Sequence, residues 1–233
     1  MLKMARTINK VTSIDRIISF FHNGMSLMFG GFGGVGSPPT LIDAIIEKQV
    51  KDLTLIGNDT GFPHIGIGKL IRLDRASKVI VSHIGSNPYA GELMNAGSLE
   101  VEFSPQGTLM ERIRAGGVGL AAIVTDVGME NDMVAMNKPK LELNGKHYLV
   151  ETSLTAEVSI VYAKKADPLG NLVYDKSARN TNPLVAMAGS VTIAETEEIV
   201  PIGSLDPEEI VTPGVFVDYV IPSNGVNWKW AWE

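Results

Sequence analysis

The chain of 233 residues contains no cysteine. This absence excludes disulfides, thiolate nucleophiles and cysteine-ligated metal sites, and it fits a reducing compartment, so we expect the protein in the cytoplasm.

Long apolar runs are absent too. The stretch 17–21 is bracketed by Asp15, Arg16 and His22, and it is far shorter than the roughly 20 apolar residues that a membrane-spanning helix needs. We therefore expect no secretory leader and no contact with a membrane.

Positive charge is scarce as well. The 20 Lys and Arg residues are outnumbered by 26 Asp and Glu residues, which gives a formal net charge of -6. Proteins that bind nucleic acid through counterion release concentrate positive charge on one surface, so we expect no nucleic-acid partner. The four histidines, His22, His64, His83 and His147, have no spacing typical of a metal site. We expect no bound metal.

Apolar residues make up 45% of the chain, enough for one sizeable core, and no linker or low-complexity tract interrupts it. We expect residues 1–233 to form a single domain. Apolar runs predict strands at 25–29, 53–56, 78–82, 120–125, 140–142, 146–151, 159–163 and 190–193. Helical spacing predicts helices at 13–22, from 38 onward and at 109–115. This order predicts an α/β fold with an open, mixed, largely parallel sheet and helices on both faces, with a hairpin at Asn144 and Gly145.

Glycine is abundant, with 24 residues, and it is densest in the segment 29–39, which reads FGGFGGVGSPP. Gly31, Gly33 and Gly36 have the spacing G-x-G-x-x-G, which is typical of dinucleotide-binding loops between a strand and a helix. Such a site also needs an acidic residue about 20 residues further on to bind a ribose. Asp59 lies near that position, although its surroundings, GNDTG, are typical of a turn. An NAD site is therefore one interpretation of the glycines.

The two prolines after the loop favour other interpretations. In dinucleotide folds the helix begins within the glycine motif, but Pro38 and Pro39 lack the N–H groups that such a helix would need there. Proline is tolerated in the first helical turn, so we expect the helix to begin at Pro38 with Ser37 as its cap. The glycines then form either a tight connection without a ligand or a loop whose backbone N–H groups face an anion or a developing oxyanion.

The same segment carries a longer motif. From Asn23 to Pro38 the chain reads Asn-Gly, two residues, three apolar residues, Gly-Gly-Phe, three residues, Gly, one residue and Pro. This motif resembles the signature of the A (alpha) subunit of family I coenzyme A transferases, most closely the acetate/acetoacetate (3-oxoacid) type. The resemblance extends over nearly the whole chain through the blocks GNDTG (57–61), SHIG (82–85), PQGT (105–108), SARN (177–180), NP (182–183) and VTPG (211–214).

The resemblance implies transfer of coenzyme A between a short-chain acyl-CoA and a free carboxylic acid of the acetate, butyrate or acetoacetate class. In that family a glutamate attacks the thioester, and a glutamyl-CoA intermediate then reacts with the acceptor acid, which is covalent catalysis by a carboxylate. The glutamate belongs to the B (beta) subunit. The resemblance therefore implies a chain active only with a beta subunit, in an A2B2 heterotetramer, with coenzyme A as a substrate and no permanently bound cofactor. A non-catalytic nucleotide- or CoA-binding module is the alternative, and an NAD-dependent oxidoreductase is third.

The resemblance also implies site residues. Gln106 would donate its side-chain amide to the thioester oxygen, because a neutral donor suits developing negative charge. Without the resemblance, the sequence favours the interpretation of Gln106 as a turn residue that bonds backbone after Pro105. The residues expected to contact coenzyme A and the acyl group are Gly30, Gly31, Phe32, Gly33, Gly34, Val35, Gly36, Asn58 and Gly107.

Some charged residues have two interpretations. Glu130, in Met-Glu-Asn-Asp, imitates the nucleophile motif of the beta subunit, but it follows the predicted strand 120–125 and departs from the A-subunit pattern. We expect it to be a solvated loop carboxylate. Arg112, Arg114 and Arg179 are candidates for binding the phosphates of coenzyme A, and each is alternatively a surface or subunit-contact charge.

The three tryptophans, Trp228, Trp230 and Trp232, alternate near the end of the sequence. A period of two puts them on one side of an extended segment. Such an aromatic row packs either against a partner subunit or against the core of its own chain.

Overall fold

The computed structural model describes residues 9–228. The strands are β1 (Ser26–Phe29), β2 (Leu53–Ile56), β3 (Ala76–Val81), β4 (Glu100–Phe103), β5 (Ala122–Thr125), β6 (Lys140–Leu143), β7 (Lys146–Thr152), β8 (Ala156–Ala166), β9 (Leu172–Val173), β10 (Gly189–Ile199) and β11 (Tyr219–Pro222). The α-helices are α1 (Ile14–Ile17), α2 (Pro39–Glu47), α3 (Gly68–Arg72), α4 (Pro88–Asn95), α5 (Gln106–Gly117), α6 (Asp132–Ala135) and α7 (Asn182–Met187). Short 3-10 helices occupy Ile18–Phe20, Lys176–Arg179 and Gly214–Phe216.

The main sheet has the strand order β11-β10-β8-β1-β2-β3-β4, and the short β9 pairs with the end of β8. Every neighbouring pair along that order is parallel, whereas β9 is antiparallel. In the centre, Leu27 of β1 lies opposite Leu55 on one side and Val158 on the other. The prediction of an α/β fold with a largely parallel sheet is confirmed.

Helices cover both faces of this sheet, as expected for strands that are apolar on both sides. Leu27 packs in one cluster with Leu41 of α2. The next residue along β1, Met28, points the other way and packs with Leu109 of α5 and Val185 of α7. The alternation of side chains along each strand therefore feeds two separate apolar layers.

Three of the predicted strands form a separate antiparallel sheet with the order β5-β7-β6, here called the small sheet. The turn between β6 and β7 contains Asn144 and Gly145 at φ 52° and 75°, the left-handed conformations that an Asn-Gly hairpin requires. The hairpin was predicted correctly. The alternation of strands and helices predicted that residues 120–125 belong to the parallel sheet. Instead, β5 pairs antiparallel with β7 and so extends the hairpin of β6 and β7 to three strands.

A buried ion network joins the two sheets. Arg112 of α5 lies 2.9 Å from a carboxylate oxygen of Glu102 on β4 and 3.7 Å from Glu151 on β7. The Nζ of Lys138 lies 2.7 Å from Glu151, and Arg112 Nε also donates to the Thr152 carbonyl at 2.8 Å. Removing one partner would leave a buried charge uncompensated, so the network fixes the small sheet against α5 and β4.

One face of the small sheet is apolar and open. Val124 lies opposite Val150, and Leu141 lies opposite Tyr148, so these side chains project from the same face together with Leu143. Val124, Leu141 and Leu143 are each 40–44% exposed. We call these five residues the apolar face of the small sheet. Lys146 shares this face, opposite Leu143. Exposed apolar side chains grouped on one face are typical of interaction sites.

The helix ends differ from prediction by small amounts. The predicted helix 13–22 is α1 followed by the 3-10 turn Ile18–Phe20. Helix α2 begins at Pro39, one residue later than predicted, and Pro38 is its extended N-cap residue at φ -85° and ψ 95°. A residue that precedes proline is disfavoured in the helical region, so Pro39 keeps Pro38 out of the helix. Within residues 9–228, no helix has the length and apolarity needed to cross a membrane.

Candidate functional site

The candidate residues meet at one edge of the main sheet. The glycine loop (30–38) follows β1, the GNDTG block (57–61) follows β2, and the SHIG block (82–85) follows β3. Gln106 opens α5 two residues after Ser104, which follows β4. Because parallel strands end at a common edge, four segments far apart in sequence come together where ligands bind in open α/β sheets.

The tip of the glycine loop is a two-residue turn. The N–H of Phe32 donates to the Val35 carbonyl at 2.9 Å, and the N–H of Val35 donates to the Phe32 carbonyl at 3.0 Å. Between them, Gly33 and Gly34 have φ angles of 54° and 89°. These are the positive angles of a type I′ turn, which glycine adopts without strain. Phe32 is 46% exposed at this tip.

Other glycines of the loop allow close packing. A Cβ atom on Gly30 would lie 1.8 Å from Asn182 Oδ1, and one on Gly36 would lie 2.4 Å from the Ala178 carbonyl oxygen. On Gly31 it would lie 2.5 Å from the Ser37 hydroxyl. Gly30 and Gly36 therefore serve a tight connection against the segment 178–182, and Gly31 serves close packing within the loop itself; a tight connection is one of the two interpretations left open by the sequence.

Most N–H groups of the loop are already bonded within the chain. Gly30 donates to the Ile160 carbonyl, Gly31 to the Thr181 hydroxyl at 3.2 Å, and Gly33 to Asp59 Oδ2 at 2.8 Å. Within the described residues, the N–H groups of Gly34 and Gly36 are the two of this loop, from Gly30 to Gly36, without such a bond. Of the loop N–H groups predicted to face a ligand, those of Gly34 and Gly36 therefore remain as candidates.

A second turn of the same kind packs against the first. The N–H of Ile65 donates to the Phe62 carbonyl at 3.1 Å, as Val35 does to Phe32. A Cβ on Gly34 would lie 2.8 Å from the Ile65 side chain. The sequence carries the signal, since G-F-x-x-V-G (31–36) and G-F-x-x-I-G (61–66) share one pattern. The shared pattern is only six residues long, too short to stand out as a tandem repeat in the sequence.

Asp59 holds the glycine loop to the next strand. Its carboxylate is buried, with 5% exposure. Oδ2 accepts from the N–H of Gly33 and from Asn58 Nδ2, both at 2.8 Å, and Oδ1 accepts from the N–H of Gly61 at 2.7 Å. Both oxygens are therefore occupied by donors of the protein itself. Asp59 is not placed to bind a ribose, so the second requirement of an NAD site fails.

Gln106 lies at the start of α5 and is linked to this cluster. Its Nε2 donates to Asn58 Oδ1 at 2.9 Å, so Gln106 bonds a buried side chain and not the backbone after Pro105. Gly107 follows in the first helical turn, exposed, with open space where a Cβ would stand. The first N–H groups of a helix carry partial positive charge, which favours negative charge beside Gln106 and Gly107.

The backbone carbonyl of Asn58 also accepts hydrogen bonds. The N–H and the hydroxyl of Ser82, in the SHIG block, both donate to it, at 2.9 and 2.7 Å. Gly33, Asp59, Asn58 and Gln106 thus form one hydrogen-bonded chain, which we call the loop-to-helix chain. It brings together the glycine loop, Asn58 and Gln106, as the sequence predicted for a common site.

The candidate arginines differ in their surroundings. Arg112 is buried in the network between the two sheets, where its guanidinium pairs with Glu102 and Glu151, so its surroundings favour a structural ion pair over a phosphate contact. Arg114 pairs with Glu111 on the same helix at 2.7 Å. Arg179 is exposed in the 3-10 helix beside the glycine loop. It stays a predicted phosphate contact.

Glu130 and the tryptophans are also placed by the structure. Glu130 is exposed in the turn before α6, next to the small sheet, as expected for a solvated carboxylate.

Trp228 is 4% exposed, donates from Nε1 to the Ser37 carbonyl at 2.9 Å, and its ring meets that of Tyr162 edge-on with the ring centroids 5.1 Å apart. It packs on its own core. Trp230 and Trp232 lie outside the described residues.

A buried carboxylate that sequence analysis missed lies beneath the loop. Glu195 of β10 is fully buried and accepts from the Thr40 hydroxyl at 2.8 Å, from the N–H of Leu41 at 3.1 Å and from the Ser223 hydroxyl. It therefore satisfies the N-terminus of α2, which Ser37 was expected to cap. Burial raises the pKa of Glu195 to about 7, although these hydrogen bonds oppose the increase.

Among residues 9–228, no group of three or more His, Asp and Glu side chains is arranged to hold a metal ion.

Residues 11–223 match the family model described as coenzyme A transferase. This match spans most of the chain, so the protein belongs to the coenzyme A transferase family. The resemblance read from the motifs is confirmed, and a non-catalytic binding module is not favoured.

Relatives over nearly the full length carry related names. The chain is 59% identical over 224 residues to the probable coenzyme A transferase subunit alpha of Bacillus subtilis (strain 168), covering 96% of this chain and 98% of that one. It is 46% identical over 214 residues to the acetate CoA-transferase subunit alpha of Escherichia coli (strain K12), with coverage of 92% and 97%. It is 43% identical over 213 residues to the acetoacetyl-CoA:acetate/butyrate CoA transferase alpha subunit of Clostridium acetobutylicum, with coverage of 91% and 97%.

Solved structures share the fold. An acyl-CoA transferase from Escherichia coli O157:H7, in a thioester complex with CoA, superposes with a TM-score of 0.82 at 21% identity. The similarity covers 94% of this chain, which spans 50% of that one. Glutaconate coenzyme A-transferase from Acidaminococcus fermentans gives a TM-score of 0.80 at 21% identity, covering 91% of this chain and 75% of that one.

Proposed function

We propose that this chain is the alpha subunit of an enzyme that moves coenzyme A between a short-chain acyl-CoA and a free carboxylic acid of the acetate, butyrate or acetoacetate class. The names of its full-length relatives support both the subunit and the substrate class. The observation that carries the proposal is the loop-to-helix chain, which joins the glycine loop to Gln106 at the ligand-binding edge of the sheet.

Gln106 supplies electrostatic stabilisation in this proposal. Gln106 Nε2 carries two hydrogens. One is donated to Asn58 Oδ1, and the second is available for the thioester oxygen as negative charge develops on that oxygen. The N-terminus of α5 adds partial positive charge at the same place. A donor fixed before the reaction stabilises the developing oxyanion without reorganising during the step.

The nucleophile comes from the beta subunit. Asp59, the carboxylate beside the glycine loop, is enclosed by three donors and is not free to attack a thioester. Attack on the acyl carbonyl would form an acyl-glutamyl anhydride on the partner and release the CoA thiolate, which then attacks the glutamyl carbonyl to form glutamyl-CoA and free the first acid. This covalent route divides the exchange into easier steps.

Coenzyme A is bound as a substrate, with no resident cofactor. We assign its contacts to the tip and walls of the glycine loop, where Phe32 is exposed and the N–H groups of Gly34 and Gly36 are available. Asn58 and Gly107 flank the reacting group. Arg179 beside the loop is the remaining candidate for a phosphate of coenzyme A.

The chain works within an A2B2 heterotetramer in the cytoplasm, and residues 1–233 form one domain. The apolar face of the small sheet supports assembly, since such surface is usually covered by another chain. The ion network through Arg112 supports a single domain, because it ties the two sheets together. The lack of cysteine supports a reducing compartment.

Turnover of the separated and reconstituted subunits tests this proposal. The purified chain should transfer no CoA between acetoacetate and a short acyl-CoA, and adding a beta subunit should restore the transfer. Saturable acyl-CoA binding without transfer in the reconstituted complex would instead favour a binding module. Robust transfer by the isolated chain would overturn the assignment of the nucleophile to the partner.

A further inference from the structure

We infer that Asp59 is a positioning residue for the acyl-transfer step: its carboxylate sets the direction of the Asn58 amide and, through it, of the Gln106 amide. This inference rests on the proposed role of Gln106. It extends that role to a buried residue whose two carboxylate oxygens both accept from donors of the chain itself.

The direction of each amide follows from what its neighbour can accept. An ionised carboxylate has no proton to donate, so the Asn58 atom that faces Asp59 Oδ2 at 2.8 Å must be Nδ2. Oδ1 of Asn58 is then turned toward Gln106. An amide oxygen only accepts, so Gln106 meets it with Nε2, at 2.9 Å. The charge of Asp59 therefore determines the orientation of the Asn58 amide and, through it, of the Gln106 amide.

The carboxylate at the buried end of this chain is itself held by two backbone donors. The N–H of Gly33 donates to Oδ2 at 2.8 Å and the N–H of Gly61 donates to Oδ1 at 2.7 Å, and both glycines have a positive φ, 54° and 61°. Asp59 is 5% exposed and Asn58 is 2% exposed, whereas Gln106 is exposed. The chain thus runs from a buried charge to a donor at the surface, and low local dielectric strengthens its hydrogen bonds.

Replacing the charge by a neutral amide breaks this order. In Asp59→Asn, one side-chain position becomes an N–H donor facing a donor, so Gly61 or the pair Gly33 and Asn58 loses its acceptor. If the new N–H faces Gly33 and Asn58, Asn58 is free to rotate and Gln106 loses its anchor; if it faces Gly61, Asn58 donates to a neutral oxygen, which holds it more weakly than a carboxylate does. Hydrogen bonds to a charged group contribute enough that we expect the rate of acyl-glutamate formation to fall roughly 10- to 100-fold.

A double-mutant cycle on the complex with the beta subunit tests the inference. Asp59→Asn, Gln106→Ala and the double variant are compared by single-turnover formation of the acyl-enzyme, with acyl-CoA affinity measured in parallel. If Asp59 acts through Gln106, Asp59→Asn slows the step in the parent but adds little once Gln106 is alanine. Fully additive losses, or no loss in Asp59→Asn, would overturn the inference.

Asp167 offers a matched control. It is a buried aspartate that likewise accepts from two backbone N–H groups and one asparagine amide, those of Leu169 and Asn171, but in the turn after β8. Asp167→Asn should lower stability without slowing acyl transfer in the folded complex. An equal slowing in both variants would reduce Asp59 to a general structural role.

Asn58→Ala covers the case in which Asp59→Asn does not fold. It removes the middle of the chain and leaves the bonds from Gly33 and Gly61 to Asp59 intact. It should slow the same step, again without adding to Gln106→Ala. Failure of the proposed function has a different signature, because Gln106→Ala alone would then leave the rate unchanged.

Discussion

The side chain of Gln106 is exposed at one end of a hydrogen-bonded chain whose other end is buried. If its free N–H meets the thioester oxygen, Gln106→Ala should slow acyl-glutamate formation roughly 10²–10³-fold, a loss typical for one donor to an oxyanion. Acyl-CoA affinity should change little, because the bond strengthens mainly in the transition state. Single-turnover kinetics and acyl-CoA titration of the reconstituted complex measure the two quantities.

Glu111→Ala is the control for this substitution, since Glu111 is exposed on the same helix and its carboxylate pairs with Arg114. It should leave both quantities unchanged. A rate loss in Gln106→Ala that follows the loss of folded complex, as judged by its melting temperature, would return Gln106 to a turn residue.

Glu195 makes stability depend on pH. Burial raises its pKa to about 7 in the folded chain from 4.5, so the folded state binds more protons than the unfolded state between these values. Its contribution to stability is therefore full below about pH 4.5 and is lost as pH rises through 7, by roughly 3 kcal/mol in the free energy of unfolding.

Glu195→Gln should remove this part of the pH dependence. Denaturant unfolding of the purified chain at pH 5 and pH 8 measures it, with the exposed Glu142→Gln as the control that keeps the parental slope. The same loss between pH 5 and pH 8 in Glu195→Gln and in the parent would show that Glu195 does not titrate as described.

At the scale of elements, the glycine loop joins β1 to α2 under tight packing. Gly36 and Gly97 have nearly equal φ angles, 79° and 73°, but a Cβ on Gly36 would meet the Ala178 carbonyl at 2.4 Å, whereas Gly97 has open space. Alanine costs about 1–2 kcal/mol in this backbone region at either position. Gly36→Ala should cost clearly more, because backbone must also shift.

Denaturant unfolding of Gly36→Ala beside Gly97→Ala isolates the packing effect from the backbone effect. A larger loss in Gly36→Ala, with reduced binding of acyl-CoA to the complex, is the expected result. Equal losses would mean that the loop yields easily and that its glycines are not required by contact with the segment 178–182.

The elements themselves were predictable where the signal is local. Apolar runs such as 53–56 and 25–29 marked strands buried on both faces, and the Asn144–Gly145 turn marked its hairpin. The partner of β5 was not predictable, because strand pairing is decided by long-range contacts with β7. The cap of α2 failed for the same reason, since Glu195 reaches it from 155 positions away along the chain.

The candidate site was predictable in part. The resemblance named Gln106, Asn58 and the glycine loop, and the common edge of the sheet brings these residues together. Their composition did not reveal that most loop amides are bonded internally, nor that Asp59 faces the protein and not a ribose. Such details depend on the direction of each donor, which a spacing pattern does not record.

At the scale of the whole molecule, the central claim is that this chain shapes the site while the beta subunit supplies the nucleophile. Mass spectrometry of the reconstituted complex, incubated with acyl-CoA and then digested, locates the covalent CoA adduct directly. We predict the adduct on a glutamate of the beta subunit, with every peptide of this chain unmodified, including the one that contains Glu130. A CoA adduct on Glu130, or on any carboxylate of this chain, would contradict the account.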